Sequence, residues 1–303
     1  MNCKEKKLLF WFDFWAFNLF FVDLLNLEVK NIWINNHFLK YMLENLNNEK
    51  IISGIKENGY SVIENFYDKK DLDFLKNSFI QSLNYIHKSN ETDLRKKYYE
   101  IKKFNPKLKS HFYDLMTRDI NMLKMIHCEP IINLVKEFFN TKVLFSGRPA
   151  IHVHDKENDK LLDAHQETNQ IARDIILFWC PLSDTNEQNG GLTIYPGSHK
   201  NGYLEHSLEH PLLKDKAWTK NYTHIKEDKL KDYKKENLEV KAGSVVLAHS
   251  ALVHSGYPLK DKDHVRFVIT ERFNPLDKIP FLKKEDASLK IPYVGVDYNK
   301  ITE

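Results

Sequence analysis

The stretch Asp174–Lys200, DIILFWCPLSDTNEQNGGLTIYPGSHK, decides the fold class. Ile175, Leu177 and Trp179 alternate with Ile176, Phe178 and Cys180. Residues two apart on a strand share a face, so this run makes a strand that is apolar on both sides. Asn189-Gly190-Gly191 then marks a turn, Leu192–Tyr195 a second strand, and Pro196-Gly197 its end. The pattern continues downstream with strand-like runs at Ser244–Ala248 and Val265–Phe273, separated by Ala242-Gly243, Ser255-Gly256 and Tyr257-Pro258. Many short strands with turn residues between them predict a β-sandwich or jelly roll from about Val143 onward.

Upstream the period changes. Lys50–Phe66 predicts a helix that breaks at Asn58-Gly59 and runs into a strand, Tyr60–Ile63. Asp68–His87 predicts an amphipathic helix with Leu72, Leu75, Phe79, Leu83 and Ile86 on one face. Pro130 opens another, with Ile131, Leu134, Val135 and Phe138 inward. Helices packed on a β core are therefore expected. Leu212–Glu239 is Lys-rich and polar, and it interrupts the strands as an insertion, either a lid or a solvated loop.

Composition excludes several classes. With 303 residues the chain can bury a large core without disulfide staples. A net charge of +3 is too balanced for a dedicated nucleic-acid binder. The three cysteines, Cys3, Cys128 and Cys180, form no C-x-x-C pair and suit a reducing, cytoplasmic setting. Leu8–Leu27 is dense in aromatics after a basic start, but Asp13, Asn18 and Asp23 interrupt it. One Asp at a helix centre costs about 3 kcal/mol on insertion scales, so a packed helix is favoured over membrane association. The expected divisions are a hydrophobic extension, 1–48, a central domain, 49–280, and a tail, 281–303.

Chemistry-bearing residues concentrate at His165-Gln166-Glu167. On an extended segment the His and the carboxylate share a face and can offer a nitrogen and an oxygen to one metal ion. A second His from a remote strand completes a facial triad with open positions, the arrangement of non-haem Fe(II) oxygenases. The motif alone is weak: among 14 His and 42 acidic residues, His-x-Asp/Glu also occurs at His127-Cys128-Glu129. There Glu129 precedes Pro130 and reads as an acid in a helix's first turn. Two candidates for the remote ligand, His249 and His254, lie in Gly243–Gly256. Arg266 follows on an alternating strand. A buried Arg needs a partner, either a bound dicarboxylate or a structural acid such as Glu271.

The ordered blocks His165-Gln166-Glu167, Asp174–Asp184, Asn189–Lys200, Gly243–His254 and Arg266 resemble the phytanoyl-CoA dioxygenase family over roughly residues 50–275. The block N-G-x-L-x-x-x-P-G-S-H, Asn189–His199, is the most specific, and Glu57–Ile63 resembles the family's first strand. The resemblance implies a double-stranded β-helix (jelly roll, cupin-like) core with N-terminal helices packed on it. It implies His165, Glu167 and His254 as ligands of Fe(II), and Arg266 and Trp179 as contacts of 2-oxoglutarate. With O2, such an enzyme hydroxylates an unactivated C–H bond of a small-molecule substrate and releases succinate and CO2. His249 and His199 are then structural.

Two departures accompany the resemblance. Glu167 stands where the family usually has Asp; an Ala or Gly there would open a halide site, so halogenation is not expected. Ser255 lies one position before the usual serine. A further 2-oxoglutarate contact is expected from Leu108–Thr117. His152, His154, Asn169, Gln170 and Arg173 are expected at the mouth and favour a small polar substrate. Two rivals stay open: a non-catalytic binding module on the same fold, and a cupin-like metal enzyme without 2-oxoglutarate.

Overall fold

The computed structural model describes residues 47–105, 109–147, 149–156, 163–167, 175–206, 224–261 and 263–275. The expected extension up to residue 46, the first half of the expected insertion (212–223), Asn169, Gln170, Arg173 and the 281–303 tail lie outside them.

Six helices are described: α1 (Asn48–Asn58), α2 (Lys69–Leu83), α3 (Leu94–Phe104), α4 (Lys109–Thr117), α5 (Ile120–Ile126) and α6 (Glu129–Phe139). With them come nine strands: β1 (Tyr60–Ile63), β2 (Leu144–Ser146), β3 (Ala150–His154), β4 (Ile176–Pro181), β5 (Gly191–Ile194), β6 (Glu236–Leu238), β7 (Val245–His249), β8 (His254–Tyr257) and β9 (Arg266–Pro275). The larger sheet runs β1-β7-β4-β9-β2, with β3 also paired to β9; the smaller runs β6-β5-β8. Every pairing in both sheets is antiparallel. The strands thus form two separate sheets rather than one closed barrel. Their inner faces share a core in which Leu177, Trp179, Val246, Ala248 and Val268 meet Leu192, Ile194 and Val240.

Local chemistry explains the boundaries. Asp68 caps α2: its carboxylate accepts from Asp71 N at 2.9 Å, and the Asp71 side chain accepts from Asp68 N at 3.2 Å. α2 buries Leu72, Leu75, Phe79, Ile80 and Leu83, each contributing about 1.5–3 kcal/mol through burial. Helix α2 ends before Ile86, which is only half-buried. α6 buries Phe139, not the expected Phe138, because the inward stripe through Ile131 and Val135 recurs four residues on, at Phe139. Gly59 separates α1 from β1 at φ +88°, where a Cβ would meet His199 Nδ1 at 2.7 Å.

β9 is buried along its whole length, so its two faces do different work. Phe267, Glu271 and Phe273 face the helices. Phe267 meets Tyr98 of α3 edge-on at 6.1 Å, and Phe273 meets His127 at 5.9 Å. Glu271 is therefore not the partner of Arg266, five residues away on the other face. It accepts from Ser146 Oγ at 2.6 Å and pairs with His127 Nε2 at 2.9 Å. The expected insertion likewise ends inside the fold. Ile225 and Leu230 are buried with Tyr195 and Val253, and β6 completes the smaller sheet.

The hydrogen bond to Glu271 raises the His127 pKa above its ordinary value, against the opposing effect of burial. A folded pKa above the unfolded one, about 6.5, gives stabilisation that is full below that pH and lost as pH rises through the folded value. The stability gap between wild type and His127→Gln, measured by denaturant unfolding, is expected to be largest near about pH 6 and to shrink toward about pH 9. A gap that widens over that interval contradicts the pairing.

Candidate metal centre

His165 and His254 are distant in sequence but face each other across an isolated antiparallel bridge. His165 N donates to His254 O at 2.9 Å, and His254 N returns a bond to His165 O at 3.0 Å. Residues that exchange both bonds sit directly opposite and project to one side. Their rings accordingly lie 4.4 Å apart between centroids. Glu167 shares the face of His165, and its own N–H donates to Ser250 O at 3.1 Å.

The imidazoles are oriented the same way. His165 Nδ1 donates to Asp163 O at 2.7 Å, and His254 Nδ1 donates to Leu252 O at 3.0 Å. Each Nε2 is left as the lone-pair nitrogen, as in metal-binding histidines, whose other ring N–H donates to a carbonyl or carboxylate. His254 Nε2 lies 3.5 Å from Glu167 Oε1. His165 Nε2 is buried and has no hydrogen-bond partner. One ligand atom from each of His165, Glu167 and His254 falls within 4.8 Å of the others, and all three residues are buried. A buried lone pair without a donor is costly unless something else fills the place. Two imidazole nitrogens and a carboxylate suit a divalent first-row metal.

Protonation favours the same use. Burial, then the neighbouring His254, pushes His165 down to about 3, so its ring is neutral at ordinary pH. Burial alone would push Glu167 up. The Arg272 guanidinium, then the neighbouring His254, outweigh it and hold the carboxylate well below its usual range.

The cleft beside these residues is lined from both sheets. β9 presents Arg266, Val268, Thr270 and Arg272, at alternate positions, toward it. In register beside them stand His154 opposite Arg266, His152 opposite Val268, and Trp179 opposite Thr270. Gly190 and Gly191 make room for this face. A Cβ on Gly190 would meet Arg266 Nη1 at 2.5 Å, and one on Gly191 would meet Tyr257 Oη at 2.6 Å. Ser255 and Gly256 line the cleft as well.

Arg266, Trp179, His152 and His154 therefore share a cavity with the three candidate ligands. His249 does not: its Nδ1 accepts from Ala251 N at 3.0 Å, and its ring packs against His199 and Phe138. His199 Nε2 donates to Lys56 O at 2.9 Å. The second His-x-Glu match dissolves, since His127 pairs with Glu271 and Glu129 opens α6. Helix α4, from the region expected to contact 2-oxoglutarate, meets β3, where Tyr113 Oη donates to Val153 O at 3.4 Å. Among the described residues lining the cleft, none comes from α4.

Two residues were missed. Arg272 lies six positions after Arg266, and the same period-two reading that placed Arg266 inward places Arg272 inward too. Gln166, between the two near ligands, points away from them and fastens the segment. Its Nε2 donates to Ala251 O at 2.6 Å and Gly202 O at 2.9 Å, and its Oε1 accepts from Leu204 N at 2.9 Å. Gln166→Leu strands the buried Ala251 O and removes two bonds to the half-buried Gly202 and Leu204, and is expected to cost about 2 kcal/mol in unfolding free energy. A loss under about 0.5 kcal/mol, the range of an inert surface change, contradicts this role.

Among the described residues no helix is long and apolar enough to cross a membrane. The family profile described as Phytanoyl-CoA dioxygenase (PhyH) matches residues 55–265. In fold the chain is similar to EctD from S. alaskensis, solved with 2-oxoglutarate and 5-hydroxyectoine; identity is 11%, coverage 75% of this chain and 76% of that one, TM-score 0.54. It is similar also to the non-heme alpha ketoglutarate dependent carbocyclase SnoK from nogalamycin biosynthesis, at 16% identity, 76% and 85% coverage, and TM-score 0.52. The epimerase SnoN from the same biosynthesis gives 12% identity, 75% and 82% coverage, and TM-score 0.50. No curated protein sequence matches the chain.

Proposed function

The chain belongs to the phytanoyl-CoA dioxygenase family, and we propose that it is an Fe(II)- and 2-oxoglutarate-dependent oxygenase that hydroxylates an unactivated C–H bond of a small polar molecule. The observation that carries this reading is the convergence of one ligand atom each from His165, Glu167 and His254, with His165 Nε2 buried and without a donor. Ferrous iron bound there, with 2-oxoglutarate and O2, supplies oxidative decarboxylation to succinate and CO2 coupled to transfer of one oxygen atom into a C–H bond.

The chain's own residues hold and select. His165 and His254 turn their Nε2 atoms to the site because backbone carbonyls accept from their Nδ1–H groups. Glu167 gives one negative charge. Arg266, buried at the start of β9 and facing the cleft, is the group to clamp the far carboxylate of 2-oxoglutarate; a guanidinium fork matches a carboxylate bidentately. Trp179 offers that co-substrate a flat wall, and Ser255 a hydroxyl. His152 and His154 give the remaining space polar donors, which favours a substrate with hydroxyl or acidic groups over a bare hydrocarbon. The apolar core behind Leu177, Val268 and Leu192 excludes water from the reacting face.

Anaerobic Fe(II) with 2-oxoglutarate is expected to give a weak visible charge-transfer band in wild type. Arg266→Ala should need more than about tenfold more 2-oxoglutarate to reach it, the loss of a charge-assisted bidentate contact. His165→Ala and His254→Ala should abolish metal binding, whereas His249→Ala and His127→Ala should keep it. An iron-loaded wild type without the band counts against a 2-oxoglutarate enzyme and favours the cupin-like alternative. A band without succinate release on any substrate favours the binding module.

A further inference from the structure

Arg272 is buried in the cleft and makes two side-chain hydrogen bonds to the candidate ligand Glu167. Its Nη2 donates to Glu167 Oε1 at 3.1 Å and its Nε to Glu167 Oε2 at 3.2 Å. This is the two-point fork by which a guanidinium fixes the plane of a carboxylate as well as neutralising it. The guanidinium is itself fixed: Nη1 donates to Thr270 Oγ1 at 2.9 Å, on the same face of β9. The backbone beneath is tied down by Gly147 N, which donates to Arg272 O at 2.8 Å, and by Asn274 Nδ2, which donates to the same oxygen at 2.9 Å.

The two Glu167 oxygens are not equivalent. Oε1 faces His254 Nε2 at 3.5 Å, while Oε2 is turned to the Arg272 Nε–H. A carboxylate oxygen has two lone pairs, so Oε1 can accept from Nη2 and still offer a second lone pair toward the histidines. A glutamate side chain has three rotatable bonds, and holding its headgroup in one orientation requires an external constraint.

We propose that Arg272 is a positioning residue for the metal-binding carboxylate: its fork holds Glu167 so that one oxygen, Oε1, is presented to the ion shared with His165 and His254. This rests on the metal-centre reading above. A lysine at this position keeps the charge and loses the fork. The proposal therefore predicts that Arg272→Lys does not rescue the geometry.

The test is anaerobic titration of Co(II) into the full chain, read by visible d–d absorption, which reports both affinity and coordination geometry. Wild type is expected to saturate with one defined spectrum. Arg272→Lys should need roughly 10–100-fold more Co(II), the usual penalty for losing a residue that orients a metal ligand, and should show altered bands. Thr270→Val removes the bond that steadies the guanidinium, together with a long one to Ala150 O across the β3–β9 pair, and should move affinity and spectrum the same way by less. A folded Arg272→Lys protein, by far-UV circular dichroism, that keeps wild-type affinity and bands overturns the proposal. If that variant does not fold, an unchanged affinity and spectrum in Thr270→Val overturns it instead. A wild type that binds no Co(II) removes the metal centre itself, an outcome distinct from equal binding by wild type and variants.

Discussion

The bridge between His165 and His254 is the constraint on which the site depends. Two backbone hydrogen bonds place the two residues directly opposite each other, though they come from segments far apart in the chain. The side chains then share a face without further arrangement, and a backbone carbonyl on each side consumes the Nδ1 proton. Glu167 joins them because it is two residues along an extended segment. Precision in the site thus comes from pairing this connecting segment to β8 at one residue, His254.

β9 connects this geometry to the rest of the molecule. Its inner face carries two arginines, one at the start of the strand and one near its end, with Val268 and Thr270 between. Its outer face carries Phe267, Glu271 and Phe273 against α3 and α5. Packing the helices onto the outer face therefore sets the depth of Arg266 and Arg272 on the inner one. The glycine pair at Gly190–Gly191 has the complementary task, since a side chain at either position would collide with Arg266 or Tyr257.

Much of this was legible in the sequence, for physical reasons. Alternation identified β4, β5, β7 and β9, because a strand packed on both faces leaves an unbroken apolar run. The His-x-Glu spacing singled out the candidate near ligands, but it could not by itself reject His127-Cys128-Glu129. That rejection needed the contact with Glu271, which comes from a distant strand. The Phe138 expectation failed by one residue because a helical stripe three to four residues wide admits either neighbour. Glu271 looked like a partner for Arg266 by proximity in sequence, whereas strand parity puts it on the other face. Arg272 was visible by the same parity, but its pairing with Glu167 lies across the sheet and has no local signal. The hydrogen bonds of Gln166 are equally non-local. The second half of the Lys-rich segment looked solvated because its apolar residues, Ile225, Leu230 and Leu238, are too sparse to show a period, yet they are the ones that anchor it.

The most direct measurement is anomalous diffraction from crystals grown anaerobically with Fe(II), collected at the iron edge. The account predicts one strong peak within about 2.2 Å of His165 Nε2, His254 Nε2 and one oxygen of Glu167, a normal bond length for such ligands. A peak bound elsewhere, or a fully ordered His165–Glu167–His254 cluster with no peak at saturating iron, would contradict it.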